Sequence, residues 1–202
     1  MFHECMENLT YVYGSDHLLV APQYFSFARI LQARGRAAAS IPLLLEGIRI
    51  SREAQGEAWK DAAKRWDQLA RTTKRIARAA GLAQKQYQAA LRGATTLSSR
   101  PAEGASYQGL VGIIHYRLGG YDKAIGHLTA QRKPSAGDVP DELRERAFLA
   151  MAQFHLGEIE AARDTLAGVH ELMQRESLAN DETNRAVVAE AVALISSGDT
   201  AK

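Results

Sequence analysis

The chain has 202 residues, 46% of them hydrophobic and 24% charged, and a net charge of +2, a composition typical of an ordinary globular protein. Cys5 is the only cysteine, which excludes an intramolecular disulfide and leaves no second thiol for a metal or redox site. The first residues contain no basic segment followed by an apolar run, and the apolar stretch at residues 41–45 is far too short to span a bilayer. We therefore expect a cytoplasmic protein with no signal peptide and no membrane partner.

Basic and acidic side chains are unevenly distributed along the chain. Residues 71–140 carry 11 basic and 3 acidic side chains, whereas residues 141–202 carry 6 and 12. Such an asymmetry can steer a charged partner through its long-range potential, or it can belong to solvated helix faces that pair with acidic residues of neighbouring helices. The interval from 71 to 100 holds no acidic residue and seven basic ones: Arg71, Lys74, Arg75, Arg78, Lys85, Arg92 and Arg100.

Apolar periodicity and turn residues divide the chain into helical hairpins. Residues 1–20 are expected to form a leader or a short helix, and a helical repeat domain is predicted over residues 21–177. Its hairpins are predicted at residues 22–52, 57–98, 106–133 and 141–174, because the apolar spacing is helical there and glycines interrupt it. Residues 178–198 are predicted to form a C-terminal capping helix, which would cover the stacking face of the last hairpin.

A period of 34 residues links the second and third hairpins, because Tyr87, Ala90 and Leu91 recur as Tyr121, Ala124 and Ile125. This period is the length of a helix–turn–helix unit that buries its apolar face only by stacking on neighbours. Turn glycines let the chain reverse in such a unit, and small residues let its two helices approach closely. The residues expected to serve these structural roles are Gly112, Gly119, Tyr121, Ala124, Leu128, Ala150, Gly157, Ala162 and Leu166.

The segments at residues 115–124 and 148–157 resemble tetratricopeptide repeats, and they are most similar to the repeat regions that follow kinase domains in planctomycete-type bacterial serine/threonine kinases. The resemblance implies an all-α fold, a right-handed α-α superhelix of about four hairpins with a C-terminal capping helix. Two positions depart from the family pattern, since Gln108 stands where Trp is favoured and Ile159 where Tyr is usual. No kinase motif occurs in the sequence, so the resemblance implies a regulatory or scaffolding part of a bacterial signalling protein.

In the family, the first helix of each hairpin lines a concave groove that holds a segment of a partner protein. Carried onto this chain, that groove would place Tyr116 beside Phe154 and Arg117 beside His155, and aromatic and Arg side chains are typical of binding hot spots. The alternative is that Tyr116 and Phe154 pack between repeats. The candidate groove residues are Ile113, Tyr116, Arg117, Met151, Phe154 and His155.

No catalytic or metal-binding pattern is found in the sequence. It lacks a nucleophile elbow and a phosphate-binding loop, and no two histidines stand at the spacing of metal ligands on one helix face. We therefore expect no enzyme activity, no cofactor and no metal, and we predict a protein–protein interaction scaffold whose partner is a protein or peptide rather than nucleic acid.

The alternative function is a nucleic-acid-associated helical repeat protein that uses the basic stretch at residues 71–100. In that case its basic side chains should project from one exposed face and contact phosphates. If they instead pair with acidic residues of neighbouring helices, the stretch has a structural role. The candidate face consists of Arg71, Lys74, Arg75, Arg78, Lys85 and Arg92.

Overall fold

The computed structural model describes residues 2–56, 59, 61–100, 104–130, 139–174, 178 and 180–197. Ten α-helices and no strand occur in these residues, which confirms the all-α prediction. Contacts divide the chain into two compact units, Met1–Leu97 and Ser98–Lys202. The predicted repeat domain at residues 21–177 therefore spans parts of both units, and its right-handed superhelix stays a prediction.

The first unit contains five helices, which are α1 (Phe2–Tyr13), α2 (Ala21–Ala33), α3 (Ala37–Gln55), α4 (Ala62–Arg78) and α5 (Gln84–Ser98, whose last residue belongs to the second unit). Helix α3 packs on both α2 and α4. Ile41 and Leu44 of α3 and Leu69 of α4 are fully buried in the core. Gly93 brings α5 against α4, because a Cβ atom at this position would lie 2.7 Å from Thr73 Oγ1.

The second unit begins with a 3-10 turn at Gly104–Tyr107, followed by α6 (Gln108–Arg117), α7 (Tyr121–Leu128), α8 (Val139–His155), α9 (Ile159–Met173) and α10 (Glu182–Ser197). Helix α6 packs on α7, α8 packs on α9, and α10 packs on both α8 and α9. Asp181 precedes α10, and its carboxylate accepts a hydrogen bond from the Asn184 N–H at 2.9 Å, so it satisfies one of the unpaired donors at the start of that helix.

Three hairpins reverse through the same hydrogen-bond pattern, in the α2–α3, α6–α7 and α8–α9 connections. A glycine N–H donates to the carbonyl three residues earlier, and the next N–H donates to the carbonyl five residues earlier, which is the Schellman motif. The glycine φ angles are +73°, +79° and +81°, a left-handed region in which a Cβ atom would be strained. The donor pairs are Gly35 with Arg36, Gly119 with Gly120, and Gly157 with Glu158.

Small residues close the hairpins of the second unit. A Cβ atom at Gly112 would lie 2.7 Å from Leu128 Cγ and 3.1 Å from the Ala124 carbonyl oxygen, so α6 and α7 approach each other more closely than an alanine would allow. In the next hairpin Ala150 and Ala162 are fully buried. They form a core cluster with Ile195 of α10, and the half-buried Phe154 and Leu166 pack against it.

Some helix boundaries differ from the predicted ones. Helix α4 begins at Ala62, five residues after the predicted start of its hairpin, with residues 57, 58 and 60 outside the described part. Helix α8 begins at Val139 rather than at 141, because a proline such as Pro140 is compatible with the first turn of a helix, where its missing N–H would have no partner. The predicted connection between the third and fourth hairpins spans residues 134–140; residues 134–138 lie outside the described residues, and 139 and 140 belong to α8.

Alanine substitutions at two helical glycines should have opposite effects on stability. Gly112→Ala should lower the free energy of unfolding by about 1–3 kcal/mol, because the added methyl overlaps Leu128. Gly126→Ala on α7 is the matched control; no atom lies within 4 Å of its Cβ position, and the change should stabilise by up to about 1 kcal/mol. Urea unfolding followed by far-UV circular dichroism measures both, and equal stability of the two variants would contradict the close packing of α6 on α7.

Candidate functional site

Three of the predicted groove residues are buried in the second unit. Ile113, Tyr116 and Met151 are 6%, 9% and 0% exposed. The Tyr116 ring contacts Phe148 edge-on at a centroid distance of 5.2 Å and Tyr121 at 5.6 Å, and its hydroxyl lies 3.5 Å from Met151 Sδ. Burial raises the pKa of Tyr116 to about 12. These side chains fill the space between α6, α7 and α8, as in the packing alternative for Tyr116.

Arg117, a fourth predicted groove residue, is held by the C-terminal helix of the same chain. Its two terminal nitrogens each donate to one carboxylate oxygen of Glu190 on α10, the longer bond measuring 2.8 Å. Its guanidinium also lies over the Phe148 ring, 4.8 Å from the centroid. Because the Arg117 side chain is only 8% exposed, a partner segment would have to displace Glu190 to contact it.

The remaining two predicted groove residues lie at the C-terminal end of α8. Phe154 is half-buried and His155 is exposed. The His155 ring stacks on Tyr121 at a centroid distance of 4.3 Å, and burial lowers the pKa of this imidazole. The structure thus brings the six predicted residues together around α6 and α8. Only the side chains of Phe154 and His155 are accessible to solvent to an appreciable extent.

The candidate residues of the predicted basic stretch lie on α4 and α5, and some of them line two different cavities. Arg71 and Arg75 line a cavity between α2 and α4, whereas Lys85 and Arg92 line another cavity between α3 and α5. Arg71 also pairs with Asp67, one turn earlier on the exposed side of α4, at 2.8 Å. Two further members, Lys74 and Arg78, are half-buried and interact with other groups of the chain.

The cavity between α2 and α4, called the basic cavity from here on, has a volume of about 460 Å³. No acidic residue is found among its described lining residues, and five basic ones surround it: Arg29, Lys64, Arg65, Arg71 and Arg75. The other lining residues are Phe25, Ser26, Gln32, Gln68 and Thr72. Its volume lies in the range of ligand-binding pockets in proteins.

Hydrogen bonds between side chains join the two walls of the basic cavity. The Gln32 amide donates to Thr72 Oγ1 at 2.9 Å and to Ser40 Oγ at 3.2 Å. The Gln68 amide donates to Gln32 Oε1 at 3.3 Å, and the Thr72 hydroxyl donates to the Gln68 carbonyl at 2.8 Å. This network links α2 to α4 beside the cavity.

Arg65 is held in place within the basic cavity. Its guanidinium lies 4.2 Å from the centroid of the Phe25 ring, and that ring also stacks on Trp59 at a centroid distance of 6.0 Å with an interplanar angle of 10°. Burial is the main cause that lowers the pKa of Arg65; the charge of Arg29 also lowers it, while Asp61 raises it. Arg65 Nε is buried without a hydrogen-bond partner, so its charge is only partly compensated.

Sequence reasoning missed most of this cavity, although a signal was present. The pattern Arg29-x-x-Gln32 on α2 recurs as Arg65-x-x-Gln68 on α4, and Gln32 and Gln68 are 36 residues apart. A recurrence at nearly the repeat length places equivalent side chains side by side when hairpins stack. This pattern indicates that the candidate binding positions include Arg29 and Gln32 in the first hairpin and Arg65 and Gln68 in the second.

Comparison with known proteins adds no relative: no protein-family model matches the chain, and no curated protein matches it. Among the described residues, no helix is both long enough and apolar enough to cross a membrane. In the same residues, no group of three or more His, Cys, Asp or Glu side chains could hold a metal ion.

Loss of the Arg117–Glu190 pair should destabilise the second unit. Glu190→Gln should lower the free energy of unfolding by about 1–3 kcal/mol, because it leaves the buried Arg117 charge without its counterion. Glu160→Gln is the matched control, since it breaks an exposed pair with Arg163 and should change stability by less than about 0.5 kcal/mol. Urea unfolding measures both, and equal changes in the free energy of unfolding would show that the buried pair stabilises the unit no more than the exposed pair does.

Proposed function

We propose that this chain is a non-catalytic protein-interaction module that binds an acidic segment of a partner protein in the basic cavity. The observation that carries the proposal is that five basic side chains line one open cavity, with no acidic residue among the described lining residues. Charges of one sign concentrated in a cleft attract an oppositely charged partner over a distance and give it a preferred place of contact.

The position of the cavity supports a partner segment as the ligand. Helices α2 and α4 are the first helices of two successive hairpins, and the resemblance to tetratricopeptide repeats implies that such helices face the bound segment. Within the described part of the chain, Arg29, Lys64 and Arg75 form no ion pair, so their charges are available to a ligand. A scaffolding role in bacterial signalling belongs to this proposal, because the same resemblance implies it.

The basic cavity should discriminate between two double variants that remove the same charge. Arg29→Gln/Arg75→Gln removes two cavity cations, and Lys85→Gln/Arg92→Gln removes two from the α3–α5 cavity. We expect the first variant to weaken binding of a fluorescein-labelled peptide of alternating glutamate and glycine by about tenfold or more, equivalent to about 1.4 kcal/mol. The second variant should change binding by less than about twofold, because its charges are screened from the cavity. Fluorescence anisotropy at about 0.1 M salt measures both.

Three results would count against the proposal. Absence of peptide binding would remove its basis, and equal weakening by the two variants would show attraction to overall charge rather than to the cavity. Tighter binding of a labelled oligothymidylate than of the peptide, lost in both variants and falling steeply with salt, would favour the nucleic-acid alternative instead.

A further inference from the structure

We propose that the basic cavity is selective for a phosphate group, so that the acidic partner segment it binds carries a phosphorylated side chain. This inference rests on the proposed function, and it names the chemistry that the cavity recognises.

The number of cations favours a ligand with more than one negative charge. Five basic side chains line a space of about 460 Å³. Arg71 is already paired with Asp67, and one carboxylate of a ligand would compensate only one of the other four. A phosphorylated side chain carries a charge of about −1.5 to −2 at neutral pH and offers three strong acceptor oxygens. Four of the five cations are arginines, whose planar donor forks match phosphate oxygens in pairs.

The placement of Arg65 favours a compact anion at a defined point. The Arg65 guanidinium rests on Phe25 at 4.2 Å, and Phe25 is itself stacked on Trp59. Gln68 Oε1 accepts a long hydrogen bond from Arg65 Nη1 at 3.4 Å, so the side chain is confined before a ligand arrives and loses little further freedom on binding. Burial is the main cause that lowers the pKa of Arg65, Asp61 raises it and the Arg29 charge lowers it; a bound dianion would favour the charged form of both arginines.

The hydrogen bonds of the cavity wall engage the donors and acceptors of Gln32, Gln68 and Thr72 with one another. Gln32 Oε1 already accepts from the Gln68 amide, and Gln68 Oε1 accepts from Arg65. Thr72 Oγ1 accepts from the Gln32 amide and donates to the Gln68 carbonyl. The donors left for a ligand are therefore mainly those of the basic side chains, and an ionised phosphate, which only accepts hydrogen bonds, matches them.

A phosphorylated protein segment fits the cavity better than a nucleic-acid strand. Single strands are bound by stacking bases on open aromatic faces, whereas Phe25 is 3% exposed and its ring already contacts Trp59 and Arg65. Lys85 and Arg92 line a different cavity, so the basic stretch does not follow one strand. The site is therefore suited to one phosphate with acidic neighbours rather than to a continuous backbone.

The test compares three labelled peptides that differ at one position. Each has nine residues of glycine and serine with two flanking aspartates, and its central residue is phosphoserine, aspartate or serine. We expect the full chain to bind the phosphoserine peptide about tenfold more tightly than the aspartate peptide, and the serine peptide most weakly. Inorganic phosphate should displace the phosphoserine peptide more effectively than sodium chloride of the same ionic strength.

Conservative variants test whether Arg65 provides the selectivity. Arg65→Lys keeps the charge but removes the planar fork and the stacking on Phe25, so the preference for phosphoserine over aspartate should fall from about tenfold to about twofold. Arg92→Lys in the α3–α5 cavity is the matched control and should keep the full preference. Arg29→Lys, at an exposed position of α2, provides a second cavity variant, and circular dichroism establishes that each variant is folded.

The outcomes separate this inference from the proposed function. Equal binding of the phosphoserine and aspartate peptides would overturn phosphate selectivity and leave the acidic-segment proposal standing. Binding of neither peptide would overturn both. A labelled oligothymidylate of nine nucleotides that binds more tightly than the phosphoserine peptide would also overturn the inference and indicate nucleic acid as the partner.

Discussion

Short helices in this chain depend on close contact with their neighbours, and that contact depends on how the chain reverses between them. Helix α7 has 8 residues and α6 has 10, lengths at which an isolated helix is marginal in water. The left-handed glycines of three connections turn the chain within two residues and satisfy the last carbonyls of the preceding helix. Packing at Gly112, Ala124 and Ala162 then becomes possible, and the burial that it allows provides most of the stability.

The same hairpin geometry is used differently in the two units. In the second unit, the face formed by α6 and α8 is filled by Tyr116 and Met151, and Glu190 of the C-terminal helix neutralises Arg117 there. In the first unit, the corresponding first helices, α2 and α4, carry Arg and Gln at equivalent positions, and an open cavity lies between them. The α6–α8 face has its charge neutralised by a residue of the same chain, whereas the α2–α4 face keeps an excess of positive charge.

Local patterns gave the predictions that agree with the structure. The turns at Gly119 and Gly157 and the small residues at Gly112 and Ala124 follow from spacing within one hairpin, since each involves neighbours a few residues apart. The basic cavity could not be recognised in this way, because Arg29 and Arg65 form one site only when two hairpins lie side by side. The pairing of Arg117 was equally hidden, since Glu190 lies 73 residues away. The sequence alone therefore does not distinguish a solvated charged residue from one, such as Arg117, that pairs with a distant carboxylate.

The stacking of Trp59 under Phe25 has an optical consequence. Both tryptophans of the chain, Trp59 and Trp66, lie in the first unit, and both are buried. Indole emission therefore reports on that unit alone, whereas the second unit contributes to far-UV ellipticity without an indole signal. Comparison of the two spectroscopic signals during denaturation separates the unfolding of one unit from that of the other. Because Trp59 is one ring away from the Arg65 guanidinium, the same emission provides an intrinsic, label-free reporter of what enters the cavity.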